Sequence, residues 1–442
     1  MAYTFNGGVH PATFKTLTSD RPIKKAFIPK KVILPLSQHT GSPSEPIVAV
    51  GDAVTVGQMI ARPSGHISAA LHATISGKVT RMAYSPTYNQ ARVLSITIEA
   101  LGDEPQEFKS QVVKDVDSYS PEKLLEIIRD AGVVGLGGAA FPTHVKLSPP
   151  KTKPVDTVIL NGAECEPYLT CDHRLMLEKS KEILKGLDVI TKILGAKNAY
   201  IAIEDNKQSA IYAMEKTLAA ASIARVPHAR PNLVLMKAKY PQGAEKQVIK
   251  VITGRIVPAG GLPMDVGCVC QNVGTLFAIY EAVYLKKPLI ERAITITGSC
   301  LRDPINLWVR FGTIVREIVP CAGGFIKEPA KVIAGGPMMG IAQYTIDIPM
   351  SKGMSGVVFM PKEELERSVE SVCIRCGKCV EACPVGLVPT SLMYRVKKEY
   401  FAEAAELGIV NCYECGACAY SCPAKIPLLD YLKYGKSRAL DR

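Results

Sequence analysis

The stretch Cys373-Ile-Arg-Cys376-Gly-Lys-Cys379-Val-Glu-Ala-Cys383-Pro384 is repeated in spacing by Cys412-Tyr-Glu-Cys415-Gly-Ala-Cys418-Ala-Tyr-Ser-Cys422-Pro423. Both read C-x2-C-x2-C-x3-C-P, a run in which three cysteines hold one [4Fe-4S] cube and the fourth holds the other. That rule assigns Cys373, Cys376, Cys379 and Cys422 to cluster one, and Cys412, Cys415, Cys418 and Cys383 to cluster two. The crossing ties two separated segments together, so cluster binding is also folding free energy. Zinc would need two C-x2-C pairs per ion, which leaves the third cysteine and the trailing proline of each motif unexplained. Two cubes imply a chain that moves single electrons. The remaining cysteines (Cys165, Cys171, Cys268, Cys270, Cys300 and Cys321) lack ligand spacing and read as small buried hydrophobes.

Composition agrees with this. The chain has 442 residues and is 47% hydrophobic, enough for about two to four domains. Fourteen cysteines, eight of them in the motifs, point to a reducing compartment rather than to disulfides. The N-terminus lacks the apolar stretch of a signal peptide, and no run approaches the length of a membrane span. The formal charge of +12 falls to about +8 once each oxidised cube with its thiolates contributes about −2. Basic residues concentrate at Lys15, Arg21, Lys24, Lys25, Lys30 and Lys31, and again after Ala424. No helix-turn-helix, RNA-binding signature or aromatic-interleaved basic run accompanies them, so nucleic acid is not an expected partner. A basic rim suits an acidic redox partner or an anionic membrane surface.

The hydrophobic period divides the chain into an α/β multidomain protein. Residues 31–100 alternate as short strands with turn glycines. Gly51-Asp-Ala-Val-Thr-Val-Gly57 followed by Ala73-Thr-Ile-Ser-Gly77 resembles the barrel-sandwich fold of lipoyl and biotinyl carriers. Those carriers display a lysine at the hairpin tip, where this chain reads Leu71-His72-Ala73-Thr74. We therefore expect the fold without the swinging arm over 1–118. From Ser120, an N-cap followed by a first-turn proline, strands alternate with helices to about residue 288, the rhythm of an α/β sheet. Residues 289–345 return to short strands, 362–371 read as a charged helix, and the segment between the cysteine motifs is helical. The last domain, 346–442, is thus a helical ferredoxin-like module.

Gly135-Leu-Gly-Gly-Ala-Ala-Phe-Pro-Thr-His-Val-Lys146 contains a G-x-G-x-x-A pattern. It follows a helix rather than a strand, and Pro142 soon removes an N–H, so it is neither a Rossmann nor a Walker loop. What remains is a backbone-rich loop whose N–H groups are free to meet an anion or a ring, with Lys146 as a point charge. Asn161-Gly-Ala-Glu164-Cys-Glu166-Pro167 follows a strand, where open α/β sheets bind ligands. Tyr240-Pro-Gln-Gly243-Ala-Glu245 and Gln271-Asn272-Val-Gly-Thr275 complete the set.

In this order the four segments resemble the NADH-binding flavoprotein subunit of respiratory complex I, over roughly residues 120–345. The resemblance implies FMN contacts from Gly135, Gly137, Gly138, Lys146, Asn161, Glu164, Tyr240, Gly243, Glu245, Asn272 and Thr275. It implies NADH contacts from Phe141, by stacking, and from Glu166 and Glu245. Ala163, Ala244 and Ala140 depart from that pattern, standing for aspartate, glutamate and glycine. The complex I protein's own C-terminal iron–sulfur motif is absent, and the two ferredoxin-like motifs replace it.

A wider resemblance takes in the whole chain. Phe5-Asn-Gly-Gly-Val-His-Pro11, Pro35-Leu-Ser-Gln-His-Thr-Gly41, the segments above, Gly335-Gly-Pro-Met-Met-Gly340 and both cysteine motifs are similar to the RnfC family, the C subunits of Rnf complexes. Those complexes join ferredoxin oxidation to NAD reduction and to ion transport. The resemblance implies a small β-grasp domain over 289–345, two [4Fe-4S] clusters, FMN, NAD(H) as substrate, and a peripheral place at the cytoplasmic face of the membrane. It implies partners among the other subunits of a membrane-bound complex, with ferredoxin reached only indirectly. Flavin is what such a chain requires, because nicotinamide exchanges two electrons as a hydride and a cubane takes one. No protein nucleophile is needed, so no catalytic side chain is expected. The nearest alternative is the cobalamin reductase of microcompartments, which corrinoid reduction would reveal. An alternative of another class is a cluster-only electron-transfer subunit, which would bind no flavin.

Overall fold

The computed structural model describes residues 2–102, 104–223, 229–365 and 369–440. At its centre lies a parallel sheet of four strands. Their spatial order is Pro231–Met236, Asn198–Glu204, Thr157–Gly162, Cys268–Asn272. Parallel strands joined by helical crossovers are buried on both faces, and the side chains divide accordingly. Val158 and Leu160 point into a core with helices Ser180–Leu194 and Val273–Leu285. Ile159, Ala202, Cys268 and Cys270 point the other way, onto Val248 and Ile249 of helix Glu245–Thr253.

The strand Cys268–Asn272 was not distinguishable from a loop by period, because its inward cysteines carry no alternation signal. Cys171 and Cys300 are likewise buried, whereas Cys165 and Cys321 are half-buried. The sequence pattern of a single helix over Leu175–Leu194 gives way to two helices, Cys171–Glu178 and Ser180–Leu194, which meet at Lys179 with φ −134°. The first helix, Pro121–Asp130, starts where expected, with the Ser120 hydroxyl accepting from the Lys123 N–H at 3.2 Å.

The N-terminal domain is the barrel-sandwich. A four-stranded sheet (Lys31–Pro35, Arg92–Glu99, Gly77–Pro86, Ala53–Val54) faces a three-stranded one (Glu45–Pro46, Met59–Arg62, Leu71–His72). The hairpin that a carrier would display is buried. Thr74 donates to the Phe311 carbonyl at 2.7 Å and its own carbonyl accepts from Arg310 at 2.8 Å. These bonds hold the tip against the next domain.

The small β-grasp sheet is mixed, in the order Lys24–Lys25, Ile305–Arg310, Glu291–Thr297, Gly356–Met360, Lys331–Ala334, Ile341–Gln343. Its edge comes from the chain's own beginning, and Gly356–Met360 is inserted between two strands of earlier sequence.

The last domain is helical: Lys378–Glu381, Pro389–Lys397, Phe401–Glu406, Ala417–Tyr420 and Leu428–Leu440. The charged helix expected over 362–371 does not form in the described residues. Only a 3₁₀ turn, Lys362–Glu364, appears, residues 369–371 have no regular structure, and 366–368 lie outside the described residues. A short helix depends on burying an apolar face, and Val369 is 88% exposed.

Candidate redox site

The cysteine motifs fold into two groups, each drawing on both segments. Cys373, Cys376 and Cys379 line a cavity of about 420 Å³ together with Cys422, Ile374, Tyr394 and Ile426. Cys383 lies instead with Cys412, Cys415 and Cys418. Burial pushes the Cys415 thiol up to about 11 and the Cys418 thiol to about 12, and the nearby Cys412 and Cys383 sulfurs push the same way. Four clustered sulfurs, two of them buried and two half-buried, would repel one another as bare thiolates, a penalty that iron would relieve. The Leu387 and Glu414 N–H groups donate to the Cys383 and Cys412 sulfurs at 3.3 and 3.4 Å. Such bonds stabilise the more negative, reduced state of a cluster.

The two groups differ in setting. Cys376 is exposed, and Val372 and Ile374 beside it are 86% and 66% exposed. The second group packs inward: Cys415 joins Val9, Tyr240, Ala382 and Ala417 in one buried cluster.

The central sheet reverses its strand order between Thr157–Gly162 and Cys268–Asn272, and ligands bind at such a switch point beyond the carboxyl ends of the strands. Asn161 and Asn272 are register partners at that end. Asn272 caps its helix by accepting from the Gly274 N–H at 2.8 Å, while its amide donates to Asp172 at 2.6 Å. The Asn161 amide donates to the Gly243 carbonyl at 2.9 Å.

Over this end lies the glycine loop. The Leu136 N–H donates to Thr275 Oγ1 at 2.8 Å, and the Leu136 carbonyl accepts from buried Arg292 at 2.9 Å. A Cβ on Gly137 would stand 3.3 Å from the Asn272 Cβ. Gly138 has φ +119° with open space beyond it, a conformation that suits glycine. Residues 137–139 are exposed and Phe141 is half-buried beside them, whereas Gly135 is tied to Phe141 by its N–H at 2.8 Å. Ala140 accepts φ +49° where a glycine would be relaxed. Lys146 leaves the same loop and donates to the Glu245 carboxylate and the Cys270 carbonyl.

The acidic turn is more enclosed than its sequence suggested. Both oxygens of Glu164 are engaged, accepting from the Asp172 and His173 N–H groups at 2.7 and 3.2 Å. Both oxygens of Glu166 accept from Met338 and Met339 N–H groups, at 3.0 and 2.8 Å. Burial pushes each carboxyl up to about 7. The Gly335–Gly340 loop of the β-grasp domain thus wraps Glu166, and the Met338 carbonyl would stand 3.4 Å from a Cβ on Gly416 of the second cysteine motif. Tyr240 is buried, with its hydroxyl on the Cys415 carbonyl at 2.7 Å.

The switch point thus brings together Gly135, Gly137, Gly138, Lys146, Asn161, Gly243, Glu245, Asn272 and Thr275. Glu164, Glu166 and Tyr240 instead face the neighbouring elements. Arg292 and Asp172 belong to the same place but had no motif to mark them, whereas Gln271 heads the quoted Asn272 segment.

Models of known families match a part of each domain. A barrel sandwich hybrid domain of the RnfC type matches residues 3–103, and a Nuo51 FMN-binding domain matches 128–281. An SLBB domain matches 293–342, and a 4Fe-4S dicluster domain matches 372–426. The C subunit of the proton-translocating ferredoxin:NAD(+) oxidoreductase complex of Clostridium ljungdahlii is 46% identical over 438 residues, covering 99% of this chain and 94% of the relative. Its Na(+)-translocating counterpart from Acetobacterium woodii is 42% identical over 389 residues, 88% of this chain and 86% of the relative. This chain belongs to the RnfC family, the C subunits of ion-translocating ferredoxin:NAD oxidoreductases. It is therefore an oxidoreductase component with an FMN-binding domain and a two-cluster domain, related to the complex I flavoprotein. A crystal structure of an NAD+-reducing [NiFe]-hydrogenase shares the fold, with a TM-score of 0.52 and 17% identity over 75% of this chain and 63% of that one. No helix among the described residues is long and apolar enough to cross a membrane.

The redox groups of the RnfC family find room and chemistry in this chain. The cavity beside Cys376 is lined by four sulfurs and apolar side chains, a donor set that suits an iron–sulfur cube. At the switch point, Asp172 Oδ1 and Gln271 Nε2 are buried without protein partners. Buried polar atoms are nearly always satisfied, so a polar ligand over the Asn161–Asn272 pair suits them.

Proposed function

We propose that this chain is the peripheral NAD(H)-handling subunit of a membrane-bound complex, at its cytoplasmic face, with ferredoxin reached through the other subunits. It exchanges a hydride between NAD(H) and FMN, and single electrons between FMN and two [4Fe-4S] clusters. The observation that carries this reading is contiguity. Tyr240 belongs to the segment that contributes Gly243 and Glu245 to the switch point, and its hydroxyl rests on Cys415 of the second cysteine motif.

When bound, FMN takes two electrons as a hydride and releases them one at a time. The chain's residues supply position and field. Gly135, Gly137 and Gly138 offer an open backbone edge, and Lys146 and Glu245 provide a charge pair at its side. Asn161, Asn272 and Thr275 shape the floor. Phe141, half-buried at the loop's end, offers a ring for the nicotinamide. Glu245 is the acidic group on the nicotinamide side, while Glu164, Glu166 and Tyr240 support the site from behind. Cys412, Cys415, Cys418 and Cys383 hold the nearer cluster. Cys373, Cys376, Cys379 and Cys422 hold the outer one, whose exposed apolar lip suits exchange with a neighbouring protein of the complex.

The test is anaerobic: iron, acid-labile sulfide and released flavin per chain, then bleaching on NADH addition. We expect about eight iron and about one FMN, with both chromophores bleached. About eight iron with no flavin, even after FMN is supplied, would leave a cluster-only electron-transfer subunit.

A further inference from the structure

We infer that Lys15 is a positioning residue for the flavin and nicotinamide site, delivered by an N-terminal strap that holds the Glu164–Leu169 turn in its working shape. The inference rests on the reading of that site given above. The Lys15 ammonium has three protons, and three carbonyls of the turn accept from it: Glu164 at 2.8 Å, Glu166 at 2.9 Å and Leu169 at 2.5 Å. Its side chain is 11% exposed and stands 3.9 Å from the Glu164 carboxylate, itself 4% exposed. A buried carbonyl needs a donor, and here a single side chain serves three that converge inside one turn.

The turn cannot hold this shape cheaply on its own. Glu164 has φ +45° and Tyr168 φ +68°, left-handed conformations that non-glycine residues avoid. Surrounding structure must over-determine such residues, and the strap does so. The Tyr168 N–H donates to the Thr13 carbonyl at 2.7 Å. The Phe14 ring stacks on Tyr168 with centroids 4.6 Å apart and planes 14° from parallel.

The strap also reaches the second cysteine group. The Gly8 N–H donates to the Ala382 carbonyl at 2.9 Å, and Val9 pairs with Tyr240. A Cβ on Gly7 would stand 2.8 Å from the Cys383 carbonyl. One segment thus spans from the nearer cluster to the acidic turn. It lies outside the residues that match the FMN-binding domain, 128–281. In this chain the N-terminal segment therefore supports the flavin site from outside the flavin domain.

The test compares the full-length chain, reconstituted with iron and sulfide, as wild type, Lys15→Met and Phe14→Ala. Three quantities are read: the dissociation constant of added FMN by fluorescence quenching, KM and kcat for NADH with ferricyanide, and backbone hydrogen exchange of 163–169. We expect Lys15→Met to keep its iron, to weaken FMN binding and raise KM by about tenfold each, with kcat less affected, and to exchange faster in the turn. Phe14→Ala loosens the same turn without unpairing a buried charge, and should move FMN binding and KM in the same direction, by about threefold. Iron-replete Lys15→Met with wild-type FMN affinity, KM and exchange would overturn the role. If Lys15→Met fails to fold, Phe14→Ala decides: unchanged FMN binding and KM overturn the role, and weakened binding with full iron supports it. Wild-type protein that binds no FMN would instead overturn the flavin reading itself.

Discussion

The Tyr240 hydroxyl donates to the Cys415 carbonyl across 2.7 Å, from a side chain that is 1% exposed. Burial pushes that hydroxyl far above the ordinary phenol range, so it stays a protonated donor at any working pH. The contact joins the flavin-side segment to the second cluster motif without intervening solvent. Tyr240→Phe should leave the Cys415 carbonyl unpaired at a cost of about 1–3 kcal/mol. It should also shift the midpoint potential of one cluster while the other keeps its own. Redox titration followed by electron paramagnetic resonance reads this directly. Equal shifts in both clusters, or none, would remove Tyr240 from the path.

The crossed placement of Cys383 and Cys422 makes a counter-intuitive prediction. Cys422→Ala, a change in the second motif, should abolish the outer cluster beside exposed Cys376. Cys383→Ala, a change in the first motif, should abolish the inner one. Each variant should lose about four iron. A hydrophilic iron chelator tells them apart, because it should strip the exposed outer cluster faster. Chelation kinetics should therefore keep only the slow phase in Cys422→Ala and only the fast phase in Cys383→Ala. The reverse pattern would mean that each motif holds its own cube.

Lys146 ties the glycine loop to the Glu245 carboxylate and the Cys270 carbonyl. Lys146→Ala removes a charge-assisted bond, worth about 1.5–3 kcal/mol, beside the open backbone edge. FMN retention should fall by about ten- to a hundredfold while iron content holds. Gel filtration followed by flavin release measures it, and unchanged flavin content and turnover would argue against a flavin at this loop.

These residues differ in how visible they are in the sequence. The cluster cysteines are legible because ligand spacing is local and repeats. The glycine loop and the Asn161 and Asn272 segments are legible as ordered motifs, and the sheet places their asparagines side by side at the switch point. Lys15, Arg292 and Lys352 are not legible. Each is a basic residue that reaches carbonyls 149 to 282 positions away along the chain, and only the packed domains bring them together. Strand Cys268–Asn272 was hidden for a similar reason, since its cysteines serve as strand hydrophobes. The helix expected over 362–371 erred the other way: its charges suit a helix, but Val369 and Val372 have nothing to pack against in the described residues.

Lys352 offers the sharpest pH test. Its ammonium donates to the Ala70 carbonyl at 2.9 Å and the Gly132 carbonyl at 2.7 Å, joining the barrel-sandwich and the entry to the glycine loop. It is 1% exposed, and burial pulls its pKa from 10.5 down to about 7. Between those two values the unfolded chain holds a proton that the folded chain has released. Raising the pH across that window therefore favours the folded state. Lys352→Met removes this linkage and leaves two carbonyls without a donor, costing about 1–3 kcal/mol each. The stability gap between wild type and variant should widen from pH 7 toward pH 10, read as urea midpoints on the same preparation. Nearby His39 and His72, which burial holds neutral down to about 4 and about 3, feel the same ammonium. Their charging should start at higher pH in Lys352→Met. A gap that stays constant from pH 7 to 10 would mean that Lys352 keeps its ordinary proton and is solvated in the folded chain.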